Sequence, residues 1–193
     1  AGTGVELLRN GAVVVDGQMR SSVPHIFAAG DCATITNKVT GKPVYLPLGT
    51  NANKQGKVLG EVLCGQDARL EGVLGTSMCR VIDLEVARTG LNEAEAEAAD
   101  IPVQVVKTTA HTKPPYYPGG CELTIKLFCH AETKALLGAQ LAGLEGAASR
   151  IGMCALAVDA GVTCPQLAMA DLGYAPPFNY VWDPVQLAAG MVK

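Results

Sequence analysis

Residues 77–142 constrain the fold more than any other part of the chain. Five β-rich segments follow one another there, at 77–83, 85–89, 103–110, 122–130 and 136–142. Strands joined by short connections pair antiparallel with their neighbours, because a parallel crossover needs a dozen or more residues. Residues 92–99 interrupt the series as a short helix with Asn92 as its N-cap. Its Glu93, Glu95 and Glu97 lie early, where the helix dipole favours anions, so they read as a solvated face rather than an active site. A long, almost uncharged helix follows at 146–160, with Arg150 and Asp159 near its ends, and a second is expected at 166–172. Strands first and helices after them describe an α+β domain, with a mostly antiparallel sheet and helices on one side.

The preceding stretch is more broken. Residues 12–15 form a β-rich run that Asp16-Gly17 closes as a turn. Pro24 keeps 21–24 out of a sheet ladder. Residues 26–29 make a short strand that ends at Gly30-Asp31. Residues 37–47 are turn-rich and form a loop or a short hairpin. Residues 50–63 have helical spacing, with Gly65 as the stop. The character of the chain changes around 71–75, giving modules at 1–72 and 73–193. The first has too few strands to complete an α/β sheet.

Composition excludes several classes. Hydrophobic residues make up 49% and charged residues 17%, against a usual charged share of about 25%, so the chain is not disordered. Net charge is −3 and Lys and Arg are scattered, which excludes the basic face of a nucleic-acid binder. No apolar run approaches the ~18 residues of a membrane helix, so a soluble, cytoplasmic protein is expected. The start at Ala1 fits a processed N-terminus or a piece of a longer protein. The seven cysteines are odd in number and none has CxxC spacing. Neither a metal site nor a disulfide framework is expected, only buried free thiols. Cys129 and His130 are adjacent, but neighbours on a strand point to opposite faces and do not share a metal.

Gly2-Thr3-Gly4 is not a dinucleotide fingerprint: Leu7 occupies the place of the third glycine and no strand precedes it. Ile26-Phe27-Ala28-Ala29-Gly30-Asp31 is more informative. Its small residues let a ligand approach the backbone, and Asp31 follows at the carboxyl end of the strand, where α/β folds bind ligands. A carboxylate there either accepts hydrogen bonds from sugar or polyol hydroxyls or caps the next turn.

This run resembles the second flavin-binding signature of the pyridine nucleotide-disulfide oxidoreductases. Pro47-Leu48-Gly49-Thr50-Asn51-Ala52-Asn53-Lys54-Gln55-Gly56 resembles the helix of that family whose N-terminus faces the flavin pyrimidine. The resemblance implies FAD, with Gly30 and Asp31 at its ribityl chain and Leu48, Gly49, Thr50 and Ala52 approaching the ring through backbone. Free N–H groups at a helix start suit the charge that develops on reduced flavin.

Gly90-Leu91-Asn92-Glu93-Ala94-Glu95 and Ile101-Pro102-Val103 resemble the family's dimerisation domain. His111-Thr112-Lys113-Pro114-Pro115-Tyr116-Tyr117-Pro118-Gly119 and Asp171-Leu172-Gly173-Tyr174-Ala175-Pro176-Pro177-Phe178 are similar to the coenzyme A-disulfide reductase and NADH oxidase branch. This implies Tyr174, with Tyr116 or Tyr117, as catalytic phenols at a coenzyme A thiol site, and Phe178 near the flavin. It also implies NAD(P)H as co-substrate, a homodimer through residues 73–193, and a coenzyme A disulfide or related thiol substrate. The alternatives are an NADH oxidase, a persulfide reductase, or a catalytically silent dimerisation fragment. His111-Thr112-Lys113 departs from the His-Pro-Thr segment of the glutathione reductase branch. The family's two GxGxxG motifs and its redox cysteine context are absent. The expected architecture is therefore the returning segment of an FAD-binding α/β domain followed by an α+β dimerisation domain. The apolar tail at 174–185, with Phe178, Tyr180 and Trp182, serves as an interface core or packs internally.

Overall fold

A computed structural model describes residues 2–193. The chain divides into two compact units, one ending at Gly75 and the other spanning Thr76–Lys193.

Among the described residues of the first unit, regular pairing is limited to β1 (Ile35–Thr36) against β2 (Pro43–Val44), a short hairpin within the turn-rich stretch. The expected strands at 12–15 and 26–29 are reduced to isolated bridges, Val13 to Leu7 and Ala33, Val15 to Ser21, and Phe27 to Arg20. Their backbone groups bond to scattered turns instead of one partner strand: Val13 N–H donates to the Cys32 carbonyl, Val14 N–H to that of Glu6, Ala28 N–H to that of Met19, and Val15 N–H to Thr34 Oγ1 at 3.2 Å. Val15, Met19 and Ala33 form a small core under Leu59 and Leu70. Leu59 belongs to α1 (Gly49–Leu63), which starts one residue earlier than its spacing suggests. It ends where expected: Gly65 adopts φ +83°, and the N–H groups of Gly65 and Gln66 return to the carbonyls of Val62 and Glu61. This is a Schellman turn, and only glycine enters it without strain.

The second unit is a five-stranded sheet: β3 (Ser77–Val81), β4 (Leu84–Gly90), β5 (Val103–His111), β6 (Glu122–His130) and β7 (Leu136–Gly143). Its order is β3-β4-β7-β6-β5, and every pair is antiparallel. Register assigns the faces. Ile125 pairs with Leu141, which pairs with Ala87, and Leu127 pairs with Ala139; all five are buried. One position along, Thr124, Lys126, Gln140, Ala142 and Arg88 stay partly exposed. Helix α3 (Ala147–Asp159) packs on β4 and β7, and α5 (Pro184–Ala189) packs on β5 and β6. Each fully buried Leu or Ile contributes about 1.5–3 kcal/mol, so Leu123, Ile125, Leu127, Leu136, Leu141 and Ile151, all 0–1% exposed, dominate this core. Where β4 meets β7, Gly90 pairs with Gly138. A Cβ on either would collide with the Leu137 or Leu91 carbonyl as Leu91 crosses the sheet.

Helix α2 (Glu93–Glu97) carries the Asn92 cap as a full capping box with Glu95. The acidic run is only partly a free solvated face: Glu95 takes Arg88 at 2.6 Å and Glu93 takes Lys126. Burial, the largest single influence on Glu95, raises its pKa. The Arg88 hydrogen bond, the Asn92 backbone bond and the Arg88 charge together outweigh it and hold the carboxyl below its ordinary value.

Two expectations are corrected. The helix placed at 166–172 is α4 (Cys164–Ala168), because the Thr163–Gln166 capping box and Pro165 start it earlier. The cysteines are not uniformly buried thiols. Cys129 and Cys164 form a disulfide with both residues fully buried, Cys32, Cys64 and Cys79 are exposed, and Cys154 alone is a buried free thiol. The pair lies 35 residues apart, and sequence spacing alone does not reveal connectivity. Burial and then the Asp183 charge push the Cys154 thiol up to about 12, so it stays protonated.

Candidate functional site

The first unit builds one candidate site from a turn and a helix start. Gly30–Cys32 is a single 3-10 turn, and Gly30 has φ +80°, a conformation that suits glycine. Its N–H donates to Gln55 Oε1 at 2.8 Å, and Gln55 Nε2 donates to the Thr34 carbonyl at 2.8 Å. Gln55 is 2% exposed. It therefore ties α1 to both sides of the turn. A Cβ on Gly30 would lie 3.7 Å from that of Ala52, so α1 runs close beside it. Asp31 is exposed and lines a cavity of about 230 Å³ with Asn10, Gly11, Ala12, Cys32 and Tyr45. At the start of α1, Leu48 occupies the N-cap and no side chain caps the first turn. Gly49 and Thr50 are exposed and Asn51 is buried, donating to the Leu46 carbonyl at 3.1 Å. The start of α1 thus presents backbone N–H groups rather than side chains.

The second unit brings two distant loops together. Tyr116 Oη lies 3.1 Å from Tyr174 Oη, across 58 residues of sequence. Tyr116 is 73% exposed and Tyr174 45% exposed, so the pair faces solvent. The hydrogen bond with Tyr116, then desolvation and the charges of Tyr116 and Tyr180, raises the Tyr174 pKa above the ordinary phenol value. The Tyr174 hydroxyl is thus protonated at neutral pH. Tyr117 stands outside this pair; its N–H closes a turn onto the Pro114 carbonyl at 2.9 Å. Phe178 is 79% exposed.

The expected apolar tail divides in two. Val185, Ala188 and Ala189 of α5 are buried against the sheet, whereas Phe178, Val181 and Trp182 are exposed. Asp183 separates them as the N-cap of α5, in a capping box with Gln186. Its carboxylate also accepts from Arg150 Nε at 2.8 Å and from Asn179 Nδ2 at 2.8 Å. Arg150 and Asp183 are 8% and 3% exposed. Arg150 and Gln55 were visible in the sequence as helix residues, but without a role. Arg150 is a charge within an otherwise apolar helix, and Gln55 lies on an apolar helical face. Each is a buried polar group that must find partners.

Residues 76–184 match the pyridine nucleotide-disulphide oxidoreductase dimerisation domain, and residues 1–56 match the pyridine nucleotide-disulphide oxidoreductase domain. The chain belongs to this family. It is 41% identical over 190 residues to a CoA-dependent NAD(P)H sulfur oxidoreductase of Pyrococcus furiosus, covering 98% of this chain and 43% of that protein. It is 36% identical over 178 residues to an NADH oxidase of Methanocaldococcus jannaschii, covering 92% of this chain and 40% of that one. Among solved structures, the NAD-dependent persulfide reductase of A. fulgidus superposes with a TM-score of 0.91 at 38% identity, over 97% of this chain and 35% of that chain. The chain spans less than half the length of the curated relatives it matches. Among the described residues, no cluster of three or more metal-ligating side chains occurs, and no helix is long and apolar enough to cross a membrane.

Proposed function

We propose that this chain forms part of an FAD- and NAD(P)H-dependent oxidoreductase that cleaves coenzyme A-linked disulfides. The observation that carries this reading is the 3.1 Å hydrogen bond between Tyr116 and Tyr174. When a mixed disulfide is reduced, one sulfur leaves as a thiolate, and a protonated or hydrogen-bonded thiolate leaves faster. Two solvent-facing phenols in contact supply that hydrogen bond: one donates to the leaving sulfur while the other supports it. A raised Tyr174 pKa keeps the donor protonated. The CoA-dependent activity in the name of the Pyrococcus furiosus relative supports the substrate class.

FAD would supply the hydride and electron transfer between NAD(P)H and the disulfide. This chain's residues suit it in two ways. Asp31 offers an exposed carboxylate beside Gly30 for a polyhydroxylated chain, and the uncapped start of α1 offers the N–H groups of Gly49 and Thr50 to an electron-rich ring edge, with the backbone of Leu48 and Ala52 alongside. Phe178, exposed on its loop, is available to a flavin edge. The second unit mediates a homodimer, which its match to the dimerisation domain supports. A cytoplasmic location is part of this reading, and NAD(P)H as electron source supports it.

The test uses the intact flavoprotein. Tyr174→Phe and Tyr116→Phe should each lower kcat for coenzyme A disulfide about 10²-fold, with KM little changed. Tyr117→Phe should retain activity. Full activity in both of the first two variants would overturn the reading. NADH-dependent oxygen uptake without coenzyme A disulfide, unaffected by the tyrosines, would favour the NADH oxidase reading suggested by the Methanocaldococcus jannaschii relative.

A further inference from the structure

We infer that Arg150 is a positioning residue that holds the Tyr116 loop and the Tyr174 loop in register. The two tyrosines come from segments with no regular structure of their own, β5–β6 connection and post-α4 strap. Their hydroxyls meet at 3.1 Å. Something must fix both loops, because ordering two mobile segments independently carries an entropic cost that one weak exposed hydrogen bond does not offset.

Arg150 bonds the Tyr174 side directly and meets the base of the Tyr116 loop through Gly146, which packs beside Thr112. Its Nη2 donates to Asn179 Oδ1 at 2.8 Å, and its Nε donates to Asp183 Oδ2 at 2.8 Å. Asn179 N–H in turn donates to the Ala175 carbonyl at 3.0 Å, one residue from Tyr174. In the other direction, Arg150 Nη1 donates to the Gly146 carbonyl at 3.3 Å. Gly146 has no side chain because the space is taken: a Cβ there would collide with Arg150 Nη1 and lie 3.1 Å from Thr112 Cγ2. Thr112 closes the base of the Tyr116 loop, exchanging hydrogen bonds with Cys121: Thr112 N–H to the Cys121 carbonyl at 2.9 Å, and Cys121 N–H to Thr112 Oγ1 at 3.1 Å. The planar guanidinium makes these three contacts at once, which an ammonium does not reproduce.

The inference rests on the proposed function only for what the tyrosine pair does chemically. The experiment reads the pair directly. The protein is labelled with ¹³Cζ-tyrosine, and Tyr174 is assigned with Tyr174→Phe and followed by NMR through alkaline pH. In the wild type Tyr174 should titrate above the ordinary ~10, and Tyr116→Phe should return it toward that value. Arg150→Lys keeps a positive charge beside Asp183. Asn179→Ala keeps the Arg150–Asp183 pair and removes the Asn179 side-chain bonds to Arg150 Nη2 and Asp183 Oδ2, which cuts the Arg150 link to the Tyr174 loop. Both should return the Tyr174 midpoint toward that of Tyr116→Phe, with an otherwise native amide spectrum, and both should lower kcat without raising KM. A wild-type Tyr174 midpoint in Asn179→Ala and Arg150→Lys, with only a lower Tm, would make Arg150 merely structural and overturn the inference. If Arg150→Lys does not fold, Asn179→Ala alone decides. Full turnover of the tyrosine variants would refute the proposed chemistry while leaving the titration result intact.

Discussion

The two units of this chain are stabilised in different ways. The first relies on side chains that reach backbone: Gln55 bridges Gly30 and Thr34, Thr34 Oγ1 accepts from Val15, and Asn51 donates to Leu46. Its core is a small cluster around Val15, Met19 and Ala33. The second relies on a five-stranded antiparallel ladder with a continuous apolar face. A ladder satisfies its backbone groups cooperatively, and its core grows with every strand added. A set of individual side-chain bridges does neither, and small cores leave little margin over conformational entropy. The contrast teaches that the second unit contains its own folding information, while the first depends on what surrounds it.

The sharpest way to break this comparison is to separate the units. Residues 76–193 alone should unfold in one cooperative transition by circular dichroism, and residues 1–75 alone should show no transition. A cooperative melt of the first piece would remove the distinction.

The next largest effect tests the interior of the second unit. Asp183→Ala leaves Arg150 buried without its carboxylate and uncaps α5, and should destabilise by about 3–5 kcal/mol in urea unfolding. The same change removes a charge that raises the Cys154 thiol, so its pKa should fall below about 12, as read by the pH dependence of alkylation in the folded protein. In the first unit, Gln55→Leu leaves Gly30 N–H and the Thr34 carbonyl without their partner, at about 1–3 kcal/mol. The loss should appear as faster amide exchange confined to Gly30–Cys32 and the start of α1. Exchange that rose equally in the second unit would contradict their independence.

The smallest effect concerns pH. Glu95 is held below its ordinary pKa, so its contribution is present above its unfolded value of ~4.3 and is lost as pH falls through the lower folded value. Because Glu95 and Arg88 are partly exposed, with side chains 42% and 33% accessible, the contribution should stay under about 1 kcal/mol. Glu95→Gln should lower the urea midpoint at pH 7 and leave it unchanged once pH falls below the lowered folded pKa of Glu95. An unchanged midpoint at pH 7 would show that the pair adds nothing.

The strands of the second unit were readable because alternation along β6, with Leu123, Ile125 and Leu127 facing the core and Thr124 and Lys126 facing away, is a local pattern. The same local reasoning found the Asn92 cap and the Gly65 stop. It over-read residues 12–15 and 26–29, since a strand needs one continuous neighbour and there the backbone groups bond to several separate turns. Residues 166–172 were misplaced because Pro165 suits the first turn of a helix as well as it breaks an interior.

By itself the sequence determined the α+β sheet of the second unit, because periodicity, caps and glycine-bearing turns depend on neighbours a few residues away, and the resemblance of its motifs pointed to the family. Only the tertiary structure decided that Tyr116 rather than Tyr117 meets Tyr174, that Cys129 joins Cys164, and that Arg150 bonds Asn179 and Asp183. Those pairings span tens of residues. Partners at such separations are chosen by sheet register and helix packing, which bring distant side chains within hydrogen-bonding reach only after the core has formed.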